Sequence, residues 1–487
     1  MSNLSIRMGA ITHIIGRLVL IEGMMMAIPL AICLLYGESD WRGFAVAVAS
    51  AGICGGMCEF FTRRHRMAVR AREGFIITAA VWFVFGLFGV IPLMLSVHPL
   101  GFTDAMFEVI SGFTTTGASV VTDLDAQSHG VLFWRALTQW IGGLGIILFM
   151  LAVLPELNKA VGMSMFNAEA TGITHGKLHP RIRQTALSLW IIYIVLTLVS
   201  IVLLWVGPMD LFDSVCQTFA AVATGGFTTH NAGIGYWHSD YVVWVLTVVM
   251  FVAGVNFMLI YGACCRGPRE LLRNSIFRLY GLIVGVSLVL LSVAALLEGS
   301  GSFDRVVAYP LFHIVSAITT TGFGIDAIEG WGSVALAVTI LLMLCGACAG
   351  STAGGLKVDR IYVLWRNVVN EVKRTVFPKR TYVVTLNGSP LESNLISRVT
   401  AFVAIYLMVL AAGVIFCCFF GYSFQDSLFM VSSAIGCNGL GYGATGIGGG
   451  YALLPAAIKW LMVGLMLLGR LELFTFLVLL VPSFWRR

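Results

Sequence analysis

Long apolar stretches recur along the 487-residue chain, separated by shorter segments that carry the polar and charged residues. Each stretch holds about twenty residues, the length a helix needs to cross roughly 30 Å of hydrocarbon. Ten stretches predict ten crossings, at approximately 15–36, 42–61, 74–97, 131–154, 185–206, 240–262, 279–297, 331–365 with a break, 395–421 and 453–482. The pattern therefore predicts an all-α integral membrane protein.

Four shorter helical segments interrupt this pattern, and each ends in a turn that contains glycine. The turns are FTTTGAS at Gly117, VATGGF at Gly225, ITTTGFG at Gly322 and GCNGLGYG at Gly439. Because the segments are too short to span a bilayer, each predicts a helix that enters the membrane and returns. The four turns define an internal repeat.

The starts of these short helices are marked by residues suited to a first turn. Asp104, Asp213 and Asp426 precede three of them and are predicted N-caps, and Pro310 takes this place in the third segment. Thirteen residues separate Asp104 and Asp426 from their turn glycines, and twelve separate Asp213 from Gly225.

The chain is therefore predicted to hold an N-terminal two-helix unit, 1–72, and four pore repeats, 73–180, 181–278, 279–392 and 393–487. Each repeat is a helix, a pore helix, a filter turn and a second helix. Non-helical backbone at membrane depth must be buried in protein or line a water-filled path. Four such turns favour a central pore, and the alternative is four helix breaks at packing sites.

Backbone carbonyls in such turns can replace the hydration shell of a monovalent cation. The residues predicted to supply them are Thr115, Thr116, Gly117, Ala223, Thr224, Gly225, Thr320, Thr321, Gly322, Cys437, Asn438 and Gly439.

Composition and charge agree with a membrane protein. Hydrophobic residues make up 58% of the chain, charged residues 11%, and the mean hydropathy is +0.91, which excludes a soluble globular protein. Most of the 11 cysteines lie in apolar stretches and are predicted to be core residues. Basic clusters at 63–72, 177–183, 266–278 and 373–380 occupy every second loop, so these loops and both termini are predicted to be cytoplasmic.

A stretch of small residues, GACAGSTAGGLK, follows the start of the eighth crossing. A helix is costly there because each glycine loses roughly 1 kcal/mol relative to alanine, so a loop at 346–356 is expected beneath the filter as a gate. Its candidate residues are Gly346, Gly350, Ser351, Thr352, Gly354, Gly355 and Lys357. The alternative role is close helix packing through small residues.

Arg470 lies within the apolar stretch KWLMVGLMLLGRLELFTFLVLL. A charge at this depth nearly always faces protein interior or a water-filled cavity. We expect Arg470 to face the pore and to act as an electrostatic barrier. The alternative is an ion pair with Glu472, although these two side chains point in different directions around a helix.

Taken together, the four turns, the two extra N-terminal crossings, GACAGSTAGGLK and GRLELFT at 469–475 resemble the Trk/Ktr/HKT superfamily of potassium transporters. The N-terminal helix pair favours the Trk branch. The resemblance implies a K⁺-selective pore in a bacterial inner membrane, a homodimer, and a TrkA-like cytoplasmic subunit that binds nucleotide and regulates the pore. It implies no organic cofactor in this chain. A Na⁺- or H⁺-coupled symporter remains the alternative.

Other motifs do not predict chemistry. GYGATG at 441–446 lacks the preceding strand of a dinucleotide site, and Cys345 and Cys348 lack the second pair of a zinc site. The sequence contains no GxSxG or HExxH motif, so an enzyme is not expected. The segment 359–394, with a strand-turn element in FPKRTYVVTLNGSP, is a candidate surface for the partner or for lipid headgroups, and 155–180 is a second candidate.

Overall fold

The structure is a computed structural model that describes residues 6–63, 71–143, 145, 182–297, 302–325, 331–446, 450–471 and 473–485. Its α-helices are α1 Met8–Tyr36, α2 Trp41–Thr62, α3 Ala71–Met94, α4 Phe102–Phe113, α5 His129–Gly143, α6 Ile182–Val206, α7 Leu211–Val222, α8 Asp240–Ala253, α9 Phe257–Arg266, α10 Arg269–Arg273, α11 Ser275–Leu297, α12 Tyr309–Ile318, α13 Gly332–Cys345, α14 Val358–Val376, α15 Ser393–Phe419, α16 Phe424–Gly436, α17 Ala456–Arg470, α18 Leu473–Leu480 and α19 Pro482–Trp485.

Within these ranges, six helices are long and apolar enough to cross a membrane: α1, α2, Arg72–Met94 of α3, Leu187–Val206 of α6, α11 and α15. The other predicted crossings are shorter or interrupted as far as the described residues show. Helices α5, α13 and α17 hold 15, 14 and 15 residues, and α8 and α9 meet at 96°. The continuation of the fourth crossing over 146–154 lies outside the described residues, as do Glu472 and the candidate surface at 155–180.

Two predicted crossings are therefore wrong as continuous helices. The stretch 240–262 breaks at 254–256, because the side chain of Asn256 accepts the amide hydrogens of Met258 and Leu259 and starts a new helix in another direction. The stretch 453–482 divides after Arg470, whose guanidinium donates to carbonyl oxygens of other segments. The break predicted within 331–365 is observed, since α13 ends at Cys345 and α14 begins at Val358.

The short helices α4, α7 and α16 begin one turn earlier than the sequence predicted. Their N-caps are Gly101, Asp210 and Ser423, and the side chains of Asp210 and Ser423 accept the amide hydrogen three residues later. The predicted caps Asp104, Asp213 and Asp426 instead lie in the first turn, where a negative charge still favours the helix dipole. Pro310 lies in the first turn of α12, as predicted.

Two large hydrophobic cores hold the described part of the bundle together. One joins α1–α5 to α15–α17, and the other joins α6–α9 to α11–α13. The first and fourth short helices thus share one core, and the second and third share the other. Their turns meet where the two cores adjoin.

The segment after α14 forms the predicted strand-turn element. Thr385–Leu386 pairs antiparallel with Ser389–Pro390, and Asn387 and Gly388 take φ values of 49° and 86°. Positive φ at both central residues is typical of a type I′ hairpin turn, for which Asn-Gly is a preferred sequence.

Helices α1 and α2 form a close pair through glycines. A Cβ added to Gly55 would lie 2.8 Å from the carbonyl oxygen of Gly16 and 2.7 Å from Cγ of Leu20, whereas a Cβ on Gly56 would meet nothing within 4 Å. The two adjacent glycines of α2 thus differ in whether the neighbouring helix needs them.

Gly55→Ala should lower the free energy of unfolding by about 1–3 kcal/mol, because backbone cannot yield to the added methyl as a side chain can. Thermal denaturation of the purified protein measures the loss. Gly56→Ala is the matched control and should leave the melting temperature unchanged or raise it slightly, because alanine is the better helix former and its Cβ meets no neighbour. Equal melting temperatures for the two variants would show that this glycine contact does not constrain the pair.

Candidate functional site

The four glycine turns share one backbone conformation. A non-glycine residue in the left-handed region, with φ of 53–55°, is followed two residues later by a glycine with φ of 77–80°. The non-glycine residues are Thr115, Thr224, Thr320 and Cys437, and the glycines are Gly117, Gly226, Gly322 and Gly439. Left-handed backbone strains any side chain with a Cβ, so the turns combine one strained residue with one suited to the conformation.

This geometry shifts the predicted register of the second turn by one residue. Its equivalent residues are Thr224, Gly225 and Gly226, so the predicted Ala223–Thr224–Gly225 was out of register. The amide of Thr224 donates to Ala221, as the amide of Thr115 donates to Gly112. Ala223 instead occupies the helix C-cap, as Thr114 does in the first repeat.

A signal in the sequence could have found this register. Thirteen residues separate Asp213 from Gly226, the same spacing as in the first and fourth repeats. The twelve-residue spacing assigned to Gly225 was the one irregular interval among the three aspartate-led segments.

The turns close into a ring. A Cβ added to Gly117 would overlap the carbonyl oxygen of Gly225, and one on Gly226 would overlap that of Thr321. In the same way Gly322 faces the carbonyl oxygen of Asn438, and Gly439 faces that of Thr116. Each turn thus contacts the next and the fourth contacts the first, so glycine is required both for conformation and for space.

Different side chains support the individual turns. In the first and third repeats two threonine hydroxyls bond each other at 2.8 Å, Thr114 to Thr116 and Thr319 to Thr321. The second repeat has alanine and glycine at these positions. There Gln139 of α5 donates to the carbonyl oxygen of Gly225 at 2.7 Å and accepts the amide hydrogen of Phe227 at 3.1 Å.

The fourth turn is tied to the third repeat, because the side-chain amide of Asn438 donates to the carbonyl oxygen of Ala317 at 2.8 Å. The sequence predicts Asn438 in the turn, but its pattern predicts no role for Gln139. A polar residue within the apolar stretch 131–154 was the signal that could have singled it out.

An open cavity lies on one side of the ring and is lined by all four turn glycines. Its other lining residues include Ser119, Thr228, His313, Thr445 and Tyr451. Among the described lining residues there is no Asp, Glu, Lys or Arg, so the polar groups of the cavity are hydroxyls, backbone groups, the Asn231 amide and the His313 imidazole.

Loops of the first two repeats join at the mouth of this cavity. Asn231 donates to Asp123 at 2.9 Å and accepts the amide hydrogen of Leu124 at 2.7 Å. The hydrogen bond from Asn231 lowers the pKa of Asp123 from its ordinary value. His230 lies between two carboxylates, 2.7 Å from Asp125 and 3.1 Å from Asp213.

The small-residue loop 346–357 contacts the ring directly. The amide of Gly354 donates to the Thr320 hydroxyl at 2.7 Å, and the Thr352 hydroxyl donates to the carbonyl oxygen of Val222 at 3.1 Å, where α7 ends. Gly346, Gly350, Gly355 and Lys357 take φ values of 68–78°. Most of the loop is buried, and the Lys357 ammonium donates to the carbonyl oxygen of Ala353.

The backbone at the break between α8 and α9 hydrogen-bonds to the other side of this loop. The amide of Cys348 donates to the carbonyl oxygen of Gly254, and the amide of Phe257 donates to that of Gly350. Ala349 receives a hydrogen bond from Asn256 at 2.6 Å and donates to the Asp359 carboxylate at 2.7 Å. Two non-helical segments thus satisfy each other's backbone groups, as burial in a membrane protein requires.

Arg470 joins the loop to α5. Its guanidinium donates to the carbonyl oxygen of Thr352 at 2.8 Å, to that of Gly143 at 2.6 Å, and to that of Gly142. The last two carbonyls belong to the C-terminal turn of α5, where the helix dipole favours a positive charge.

Comparisons with known proteins agree with this architecture. Residues 43–487 match the TrkH family, described as a cation transport protein. The chain is 35% identical over 484 residues to the Trk system potassium uptake protein TrkH of Escherichia coli, covering 98% of this chain and 99% of that protein. The chain belongs to the TrkH family.

Other TrkH-family proteins are similar over their whole length. The Trk system potassium uptake protein TrkG of Escherichia coli is 30% identical, with 98% of each chain covered. The crystal structure of the potassium transporter TrkH from Vibrio parahaemolyticus superposes with a TM-score of 0.89 at 31% identity, covering 99% of this chain and 100% of that one. The resemblance to the Trk/Ktr/HKT superfamily and the all-α, multi-pass membrane fold are confirmed.

Gly226→Ala in this TrkH-family chain should abolish cation uptake, because the added Cβ would be placed at φ +80° and against the carbonyl oxygen of Thr321. Uptake by cells that lack other potassium uptake systems measures the effect, with the amount of protein determined by immunoblot. Gly281→Ala in α11 is the control, since its Cβ would meet nothing within 4 Å. Normal uptake by Gly226→Ala would refute the revised register.

Proposed function

We propose that this chain is the membrane subunit of a potassium uptake system and that K⁺ passes through the ring of turns. The closed ring is the observation that carries the proposal, because it brings non-helical backbone from all four repeats to one place. The residues we assign to the K⁺ filter are Thr115, Thr116, Gly117, Thr224, Gly225, Gly226, Thr320, Thr321, Gly322, Cys437, Asn438 and Gly439.

The chemistry of the ring supports a monovalent cation as the substrate. Mg²⁺ and Ca²⁺ are usually bound with carboxylates, whereas the described lining of the ring and its cavity offers backbone oxygens and hydroxyls. Neutral carbonyl oxygens can replace the hydration shell of K⁺. The names of the matched relatives, which are potassium uptake proteins, support the same substrate.

We assign the loop 346–357 to the gate, with the conformation described above as its closed state. Opening must break the hydrogen bonds from Gly354 to Thr320, from Thr352 to Val222 and from Arg470 to Thr352. At roughly 1 kcal/mol net for each bond, the closed loop is favoured by about 3 kcal/mol from these contacts. A regulator must bind the open state more tightly by at least that amount.

A TrkA-like cytoplasmic subunit that binds nucleotide is the proposed regulator. Helix α14 begins directly after Lys357, so a subunit bound to α14 or to the segment after it could pull on the loop. Lipid headgroups are the alternative partner for the basic residues of this segment. We further propose a homodimer in a bacterial inner membrane, with both termini in the cytoplasm.

A Na⁺- or H⁺-coupled symporter is the second candidate. Glu22 favours it, because this carboxyl group is buried in α1 and neither oxygen has a hydrogen-bond partner within the described part of the chain. We rank the channel-like pore first, since Glu22 lies outside the four repeats.

Purified protein in liposomes should take up K⁺ and Rb⁺ faster than Na⁺, without a gradient of H⁺ or Na⁺, because a carbonyl ring sized for K⁺ fits Na⁺ poorly. Isotope or fluorescent-indicator flux measures the rates, with and without the nucleotide-binding subunit. Equal Na⁺ and K⁺ rates would contradict the filter. A strict need for an ion gradient would favour the symporter.

Arg470→Ala should increase K⁺ flux through the same liposomes, because it removes both the positive charge and the bond that holds the loop. Arg470→Gln separates the two effects: it keeps donor groups and lacks the charge, so high flux in both variants would indicate an electrostatic barrier. Arg42→Ala, at an exposed position of α2, is the control. Unchanged or lower flux in a folded Arg470→Ala protein would contradict the proposed role.

A further inference from the structure

A buried ion pair lies behind the first two turns of the ring. Nε of Arg135 in α5 donates to Oε1 of Glu108 in α4 at 2.8 Å, and their side chains are only 2% and 1% exposed. Removing two charges from water is costly, so a buried pair is retained at little cost only when other hydrogen bonds fill its remaining capacity. The function proposed above assigns no role to either residue.

The remaining polar atoms of the pair bind the segment that follows the first turn. Oε2 of Glu108 accepts the amide hydrogen of Val120 at 2.8 Å, and Oε1 accepts the Ser119 hydroxyl at 2.9 Å. Arg135 reaches the same hydroxyl at 3.1 Å. These contacts lie two and three residues beyond Gly117.

Arg135 also holds the segment that follows the second turn. Its guanidinium donates to the carbonyl oxygen of Thr228 at 3.1 Å and lies 4.1 Å from the ring centre of Phe227. These residues directly follow Gly226. One ion pair thus fixes the backbone on both sides of the contact between Gly117 and Gly225.

The other repeats do not reproduce this pair. The residues nine positions before the turn glycines are Glu108, Gln217, His313 and Met430. Gln217 donates to Thr229 at 3.2 Å, His313 is 2.8 Å from Thr339 of α13, and Met430 has no hydrogen-bonding group beyond its thioether. The ion pair between Glu108 and Arg135 therefore supports only the first and second turns.

We propose that Glu108 and Arg135 are a positioning pair for ion selectivity: they hold the first and second turns at the spacing that suits K⁺. The pair lies behind the turns and does not touch the ion. Without it, the two segments can move together and let the carbonyl ring contract around the smaller Na⁺. This inference rests on the proposed function of the ring as a K⁺ filter.

The test compares Na⁺ and K⁺ uptake by purified variants in liposomes, alongside the melting temperature of each. Glu108→Gln alone would leave Arg135 buried and unpaired, so the main variant is the double substitution E108Q/R135Q, which removes both charges and keeps polar groups. We expect its Na⁺/K⁺ uptake ratio to rise about tenfold, the effect expected from losing one hydrogen bond to a charged group.

Arg135→Lys is the second variant and keeps the charge. A point-like ammonium cannot reach the partners on both segments as the guanidinium fork does, so the ratio should rise by less than in the double variant. Glu108→Asp keeps the charge but shortens the side chain by one methylene. A Na⁺/K⁺ uptake ratio between those of the wild type and E108Q/R135Q would support a positioning role.

Glu73→Gln is the matched control. Glu73 is 1% exposed and pairs with Arg7 at 3.0 Å at the start of α3, away from the turn segments in sequence. This variant should lower the melting temperature and leave the Na⁺/K⁺ ratio unchanged.

A wild-type ratio in folded E108Q/R135Q or in Arg135→Lys would overturn the inference, as would an equal shift in Glu73→Gln. A different result would overturn the proposed function itself: wild-type protein that does not distinguish K⁺ from Na⁺. The two failures are therefore distinguishable in one assay.

Discussion

The contact between each turn glycine and a carbonyl oxygen of the neighbouring turn is the interaction on which the rest of the structure depends. Four non-helical segments can lie inside a membrane protein only if their polar groups are satisfied without lipid. Packing the turns against one another buries this backbone within the protein, away from lipid, and leaves no room for a Cβ at Gly117, Gly226, Gly322 or Gly439. Backbone geometry at the centre is thereby fixed, and the helices must start and end where it permits.

The helices beneath the ring show the consequence. Helix α13 gives way to the loop 346–357, and α8 breaks at Gly254, so that the loop and the break pair their backbone groups. Arg470 then ties the loop to the end of α5. The proposed gate is therefore bonded to the ring, and a movement of the loop must change contacts at Thr320 and Val222.

A single polypeptide lets each repeat support its turn with different chemistry. Threonine pairs support the first and third turns, Gln139 the second, and Asn438 ties the fourth to the third repeat. A ring of four identical subunits would have to support all four turns with the same side chains. Here the backbone is pseudo-fourfold while the surrounding side chains are not, so substitutions in different repeats need not have equal effects.

The sequence by itself determined the membrane environment, the four turns and the loop break after Cys345, because hydrophobic length and glycine content are local properties. That Arg470 faces the pore stays a prediction. Tertiary structure decided the register of the second turn: Gly226 takes φ +80° and faces the carbonyl oxygen of Thr321, whereas Gly225 faces the side chain of Gln139. The thirteen-residue spacing from Asp213 to Gly226 is the sequence signal that agrees with it. It also decided the contacts of Gln139, Glu108 and Arg135. These depend on contacts between residues 27 to 93 positions apart, which no local pattern encodes.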